Sequence, residues 1–361
     1  RWEKRAELEC GGPRGRVGPF AYVSLLYGDS AASAGYALGA LALGQSLRAS
    51  GTRHDVVLLH TNDVPQHLLV ALRQSGLWQL QEVEYLHGCS MLGNMRVWGG
   101  VFTKLRLFAL TQYQRVLFLD LDMLVLQNID ELFLLPPPAA MLKGMWQPPH
   151  GARIDGRDFF PTEKWNEPHG GINAGVMLLE PSATVHRLVE QEVVDQWHPE
   201  HIYSYGPEQE YISRLFADRW THIDARFNFQ LFRLSPSKPM VKLGLAESEW
   251  ARSADFVLGA LRAVQFSSFP KPWDLAEKAQ EEVDACIEQA LSQQGTAPSV
   301  SGVYLSLVRE LLRRWRAELG VALEALPDET RRAVFSGMRA PSEAGEPRQH
   351  AGSGTEESAL Q

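Results

Sequence analysis

Asp120-Leu121-Asp122 is the stretch whose residue types and spacing most directly offer chemistry. It follows one apolar run, Val116–Leu119, and precedes another, Met123–Leu126. A short, unbroken apolar run bounded by Arg115 reads as a strand buried on both faces of a parallel sheet. Ligands of open α/β sheets bind beyond the carboxyl ends of such strands. Alternation along a strand would aim Asp120 and Asp122 the same way and turn Leu121 into the core. Two neighbouring carboxylates repel each other unless a cation or a shared proton lies between them. An all-oxygen pair suits a hard divalent ion, Mg²⁺ or Mn²⁺, that keeps positions open for phosphate oxygens.

Two other readings of the motif stand beside this one. The first is a strand end carrying two solvated aspartates. The second is a phosphatase of the haloacid dehalogenase type, whose nucleophilic Asp also ends a buried strand. That pattern prefers Thr or Val two places after the second Asp, where this chain has Leu124, and it lies near the start of its domain.

The elements that must position the pair read outward from it. Phe20–Leu26 is a first strand, and Tyr27–Ser30 a turn. Tyr36–Ser50 is a helix with Leu38, Leu41, Leu43 and Leu47 at helical spacing. Asp55–His60 is the next strand, Pro65–Ser75 a helix and Leu80–Tyr85 a third strand. An amphipathic segment, Val101–Tyr113, then feeds the Asp120 strand. Beyond it lie strands at Ala139–Met145, Gly171–Leu179 and Leu261–Phe266, helices at Thr184–Gln196 and Pro207–Phe216, and a surface loop at Gly151–Pro168. Strands alternating with helices imply an α/β protein with a doubly wound, mostly parallel sheet. No G-x-G-x-x-G or P-loop motif accompanies it, which lowers the dinucleotide and P-loop readings.

Composition sets the bounds. The chain has 361 residues, 45% hydrophobic and 22% charged, ordinary for a globular protein with a large core. A formal net charge of −8 argues against a nucleic-acid partner. It also means that a diphosphate would need local help from Lys, Arg or a metal. Cys10, Cys89 and Cys286 have no metal-ligand spacing and form no obvious disulfide framework. No Asn-x-Ser/Thr sequon is present, and no apolar run approaches the ~20 residues of a membrane helix. The cytoplasm is the expected compartment, or the Golgi or ER lumen if an anchor precedes Arg1. Residues 1–19 read as a tail or linker, 20–275 as the α/β domain, 276–335 as a helical extension and 336–361 as a disordered tail. In the extension, Tyr304, Val308, Leu311, Leu312, Trp315 and Leu319 form an apolar stripe that packs on its own domain or docks a partner or membrane surface.

Five separated motifs carry a family resemblance: Phe102-Thr103-Lys104-Leu105; Asp120-Leu121-Asp122 with Asn128–Leu132 after it; Asn173-Ala174-Gly175-Val176; Glu208-Gln209; and Lys271-Pro272-Trp273. From Phe20 to Trp273 the chain resembles the retaining, nucleotide-sugar-dependent glycosyltransferases of family 8, in particular the glycogenin-like and galactinol-synthase-like members. The resemblance implies a GT-A-type fold and transfer of glucose or galactose from a UDP-sugar with retention, assisted by Mn²⁺ or Mg²⁺. A catalytically weak, nucleotide-sugar-binding scaffold is the alternative, and a homodimer is one expected state.

Carried over residue by residue, the resemblance implies that Leu25, Tyr27 and Tyr36 hold the uridine. Arg96 and Lys104 approach the donor, as do Leu121 and Ser268. Asn173, Ala174 and Gly175 line the sugar, and Lys271 clamps the diphosphate. Asp120 and Asp122 bind metal and ribose. Gln209, and Glu208 where the family has Asp, lie at the reacting sugar, with Asp122 the third catalytic position. Other roles stay open: Tyr36 as a packed helix-start residue, Lys104 as a cation reaching solvent, and Asn173 as a turn or bulge. Gln209 is a poor nucleophile because its amide lone pair is delocalised, which favours departure and attack on one face.

Two departures qualify the resemblance. The family's last motif is His-Phe-x-Gly-x-x-Lys-Pro-Trp, where His is the third metal ligand; here Gln265 and Ser268 replace the His and the Gly. An amide oxygen is a weaker donor to Mn²⁺ than imidazole, and His150 or His169 could stand in. Arg226–Met240, which corresponds to the segment that glycogenin glucosylates on itself, has no Tyr. An external acceptor is therefore expected: a sugar, a polyol or a glycoconjugate.

Overall fold

The computed structural model describes residues 20–91, 93–94, 100–144, 147–156, 171–199, 201, 203, 206–231, 242–244, 253–267, 271–292 and 298–336. Arg96, Ser268, His169 and both terminal tails lie outside the described residues.

Seven strands form the main sheet: β1 (Phe20–Leu26), β2 (Asp55–His60), β3 (Gln79–Glu82), β4 (Arg115–Leu119), β6 (Ala139–Leu142), β7 (Ile172–Leu179) and β8 (Thr221–His222), in the order β3-β2-β1-β4-β7-β6-β8. β7 alone among them runs antiparallel to its two neighbours. A smaller sheet joins β5 (Met123–Val125) antiparallel to β10 (Ala263–Gln265), which pairs in parallel with β9 (Phe229–Gln230).

The strands alternate between two buried layers, as sheets covered on both faces must. Tyr22 and Leu26 of β1 and Leu117 and Leu119 of β4 join the layer of helix α1 (Ala31–Ala49). Ala21, Val23, Val116 and Phe118 join the opposite layer, with a 3₁₀ segment at Val101–Ala109 and helices α3 (Ala183–Glu192) and α4 (Pro207–Leu215). The mostly parallel α/β architecture implied by the sequence is the one observed.

Three local details sharpen the sequence reading. The amphipathic segment forms a 3₁₀ helix over Val101–Ala109; its i, i+3 row stacks Phe102, Leu105 and Phe108 on the sheet. β3 ends at Glu82, because an edge strand paired only with β2 gains little by continuing once β2 stops at His60. The run after Asp122 is not a continuation of β4 but the first strand of the second sheet.

Helix α1 carries the close approaches. A Cβ on Gly39 would lie 2.4 Å from the Leu121 carbonyl oxygen, and one on Gly35 would strike the Trp273 ring. Only glycine lets the Asp120–Asp122 turn and Trp273 sit this near the helix. Helix α2 (Gln66–Gln74) flanks α1. Toward the C terminus, α5 (Ala254–Ala260) precedes β10, and α6 (Gln280–Ser292), α7 (Pro298–Glu324) and α8 (Asp328–Ser336) follow it. α7 lies along α1 and buries Tyr304, Leu311, Trp315 and Leu319, so the apolar stripe packs on its own chain. No helix among the described residues is long and apolar enough to cross a membrane.

Candidate active site

β4 stops at Leu119, whose carbonyl accepts a 2.7 Å hydrogen bond from the buried Ser24 hydroxyl. The next three residues cross from the main sheet to the small one. Asp120 N–H donates to the Gly175 carbonyl on β7 (2.9 Å), and the Asp122 carbonyl accepts from Phe266 N–H beyond β10 (2.8 Å). Asp120 and Asp122 therefore lie in a turn pinned at both ends, not on the strand end that alternation suggests. Their carboxylates converge all the same: Gln265 Nε2 donates to Asp120 Oδ2 at 3.0 Å and to Asp122 Oδ1 at 3.2 Å.

The other carboxylate oxygens meet lysines. Lys104 Nζ, from the 3₁₀ segment, is 3.0 Å from Asp120 Oδ1 and 3.4 Å from Glu208 Oε1. Lys271 Nζ is 2.6 Å from Asp122 Oδ2 and donates to the Phe266 carbonyl at 2.7 Å. A continuous line thus runs Glu208–Lys104–Asp120–Gln265–Asp122–Lys271, joining four of the five separated motifs. Burial pulls the Lys104 ammonium down, but Asp120 and Glu208 together outweigh it and hold it charged above the usual lysine range. Burial pushes the Asp120 carboxyl up; Lys104 opposes the shift and Asp122 adds to it.

The remaining motif, Asn173-Ala174-Gly175, lies on β7 beside this line. Ala174 N–H donates to Gln209 Oε1 at 3.4 Å, bringing the first turn of α4 against β7. Asn173 Oδ1 accepts from Gly175 N–H (2.9 Å) and Asn228 Nδ2 (2.8 Å), which fixes the strand start. A Cβ on Gly175 would lie 2.5 Å from Gln265 Oε1, so the glycine makes room for that amide. Tyr36 packs on Trp273 with ring centroids 4.7 Å apart and stays 38% exposed, leaving ring surface open. Tyr27 meets Tyr85 edge-on at 6.2 Å, and burial pushes its hydroxyl up to about 12. Leu25 and Leu121 are buried in the core, so only their backbone could meet a ligand. His150 stacks on Phe227 and accepts from Asp224 N–H, away from the two aspartates' hydrogen-bond line.

Asp120 Oδ2 and Asp122 Oδ1 both turn to Gln265 Nε2, at 3.0 and 3.2 Å. Two hard oxygen donors converging in this way suit Mg²⁺ or Mn²⁺. Charge points the same way, since among the described residues Asp120, Asp122 and Glu208 pair with Lys104 and Lys271 and a diphosphate adds further negative charge. No cluster of three His, Cys, Asp or Glu completes a metal site among the described residues. A third protein donor would be the Gln265 amide oxygen, here turned toward Gln230.

Residues 94–275 match the family model described as "Glycosyl transferase family 8". The chain belongs to this family. The matched span contains every member of the Glu208-to-Lys271 line together with Gln209 and Asn173, and membership overturns the phosphatase reading. An uncharacterized protein, R707, of Acanthamoeba polyphaga mimivirus is 32% identical over 71% of this chain and 83% of its own length. Two Arabidopsis thaliana proteins are similar over shorter stretches. Inositol phosphorylceramide glucuronosyltransferase 1 is 33% identical over 45% of this chain, and UDP-glucuronate:xylan alpha-glucuronosyltransferase 2 is 29% identical over 58%. The chain spans only 24% and 29% of those two plant proteins. Among solved structures, the galactosyltransferase LgtC bound to donor and acceptor sugar analogs overlays with a TM-score of 0.47 at 14% identity, covering 77% of this chain and 97% of that one.

Gln230, Asn228 and Gly39 complete the site's surroundings and escaped sequence reasoning. Each is a single residue outside the motifs; Gln230 lies on β9, the strand paired with Gln265's β10, a neighbourhood that only the tertiary register reveals.

Proposed function

We propose that this chain is a retaining glycosyltransferase that moves a sugar from a UDP-sugar to an external acceptor, with a divalent cation, Mn²⁺ or Mg²⁺, at Asp120 and Asp122. The observation that carries the reading is the buried line from Glu208 to Lys271. Such a line is costly to bury, and an arrangement that neutralises carboxylates with ammonium groups can hand those groups to an incoming diphosphate. A bound cation would supply Lewis-acid stabilisation of the departing UDP.

The chain's own residues supply the rest. Asp120, Asp122 and the Gln265 oxygen would hold the cation. Lys104 and Lys271, released from the aspartates, clamp the diphosphate and stabilise the charge that grows on it. Tyr36 and Tyr27 offer flat faces for the uracil. Gln209, beside Ala174, directs its carbonyl oxygen at the cationic sugar carbon, and Glu208 holds sugar hydroxyls. The bond from the anomeric carbon to phosphate breaks while the acceptor oxygen attacks on the same face. The acceptor's proton passes to the leaving phosphate oxygen.

The names of the plant relatives bring UDP-glucuronate into the donor panel beside UDP-glucose and UDP-galactose. The deciding experiment is UDP release from these three donors with Mn²⁺, Mg²⁺ or chelator. Slow release from one donor that stops with chelator supports the enzyme and names its sugar. UDP binding without release from any donor would favour the scaffold reading, to which the amide of Gln265 between the carboxylates lends support.

A further inference from the structure

We propose that Gln230 is a positioning residue: it sets which end of the Gln265 amide meets Asp120 and Asp122, and so the affinity of the site for a divalent cation. The inference rests on the cation-assisted function proposed above. Gln230 and Gln265 are register partners on the parallel strands β9 and β10 and are 7% and 6% exposed. Gln230 Nε2 donates to Gln265 Oε1 at 3.1 Å, while Gln265 Nε2 serves both aspartates. The two amides form a relay ending on the carboxylate pair.

The relay has a direction, and charge chooses it. With both aspartates facing it and no cation between, the Gln265 end near them must be the N–H donor, because an oxygen there would meet two carboxylates. With a cation between the aspartates the preference reverses. The N–H would face positive charge, and the oxygen must turn toward the ion. The amide cannot swing elsewhere, since Gly175 packs against it so closely that a Cβ would lie 2.5 Å from Oε1 and 2.9 Å from Nε2. It must rotate in place, which presents N–H to Gln230. A buried N–H without an acceptor is costly, so Gln230 has to turn its own oxygen inward. Its amide can do so because it carries a donor and an acceptor of nearly the same shape. Gln230 therefore lets Gln265 serve carboxylates or cation in turn.

The test is a double-mutant cycle on Mn²⁺ affinity, read as free Mn²⁺ by electron paramagnetic resonance at saturating UDP. Gln230→Glu leaves only an acceptor at position 230, holds the Gln265 N–H there and favours the oxygen toward the ion. Mn²⁺ should bind about tenfold tighter, the size of one correctly paired buried amide. In a Gln265→Leu background the same substitution should change affinity less than about twofold. An equal gain in both backgrounds would mean through-space charge and would overturn the proposal, as would no gain in either. Wild-type protein that takes up no Mn²⁺ with UDP would overturn the cation reading and this inference together. As a second measurement, amide ¹⁵N signals of the wild-type glutamines, assigned from Gln230→Met and Gln265→Leu, should shift together at positions 230 and 265 on Mg²⁺ addition. A shift of Gln265 without Gln230 contradicts the relay.

Discussion

Two buried regions pack against helix α1, and they are held together by opposite means. Along α7, Tyr304, Leu307, Leu311 and Trp315 are at most 2% exposed and pack on α1 through apolar contact. Around Asp120 and Asp122, burial encloses ion pairs and amides instead, with Asp122 6%, Gln265 6% and Lys271 7% exposed. The first region gains from water exclusion over area. The second pays desolvation and recovers it only through its full set of partners. On the function proposed above, a ligand replaces those partners, so stability is expected along α7 and exchangeable polar bonds at the turn between the sheets.

Substitutions can break or sharpen this contrast. Trp315→Ala should have the largest effect on folding, a loss of about 3–5 kcal/mol from cavity formation, seen in denaturant unfolding. UDP affinity of the protein that remains folded should be unchanged; a large drop would mean that the two regions are not separable. Lys271→Met should cost about 3 kcal/mol, since it leaves Asp122 buried without its cation. Unlike the tryptophan change, it should also remove UDP binding. A smaller effect comes from a buried histidine. His222 is fully buried on β8, accepts from Leu142 N–H at 3.2 Å, and burial holds its imidazole down at about 4. The unfolded chain takes a proton below pH ~6.5, which the folded state refuses until about pH 4. Stability should fall by about 2 kcal/mol between pH 6.5 and 5, and a His222→Gln variant should lose that part of the slope.

Much of the positioning scaffold was legible in the residues. β1 and β2 span Phe20–Leu26 and Asp55–His60 as the sequence implies, because burial on both faces selects short, mostly apolar runs. The Asp120–Asp122 pair also announced itself, though its geometry comes from a crossover between sheets that no local pattern encodes. The orientation of the Gln265 amide depends on Gln230, in a different strand of the small sheet, and on the missing side chain of Gly175. Such pairings are set by tertiary register, so single-residue identity could only suggest a ligand. Likewise nothing in the leucine-rich pattern of α1 marks Gly35 and Gly39 as the places where Trp273 and the Leu121 carbonyl approach.

As proposed above, the two aspartates and two lysines form an exchangeable nucleotide-diphosphate site. Calorimetric titration of UDP into the wild-type chain and Asp122→Asn, each with Mn²⁺ and with chelator, tests it most directly. The account predicts that chelator weakens wild-type binding by at least about tenfold, and that Asp122→Asn, lacking one charged ligand, shows no response to Mn²⁺. Equal UDP affinity of the wild-type chain with Mn²⁺ and with chelator, or an Asp122→Asn variant that keeps the full Mn²⁺ response, would contradict it.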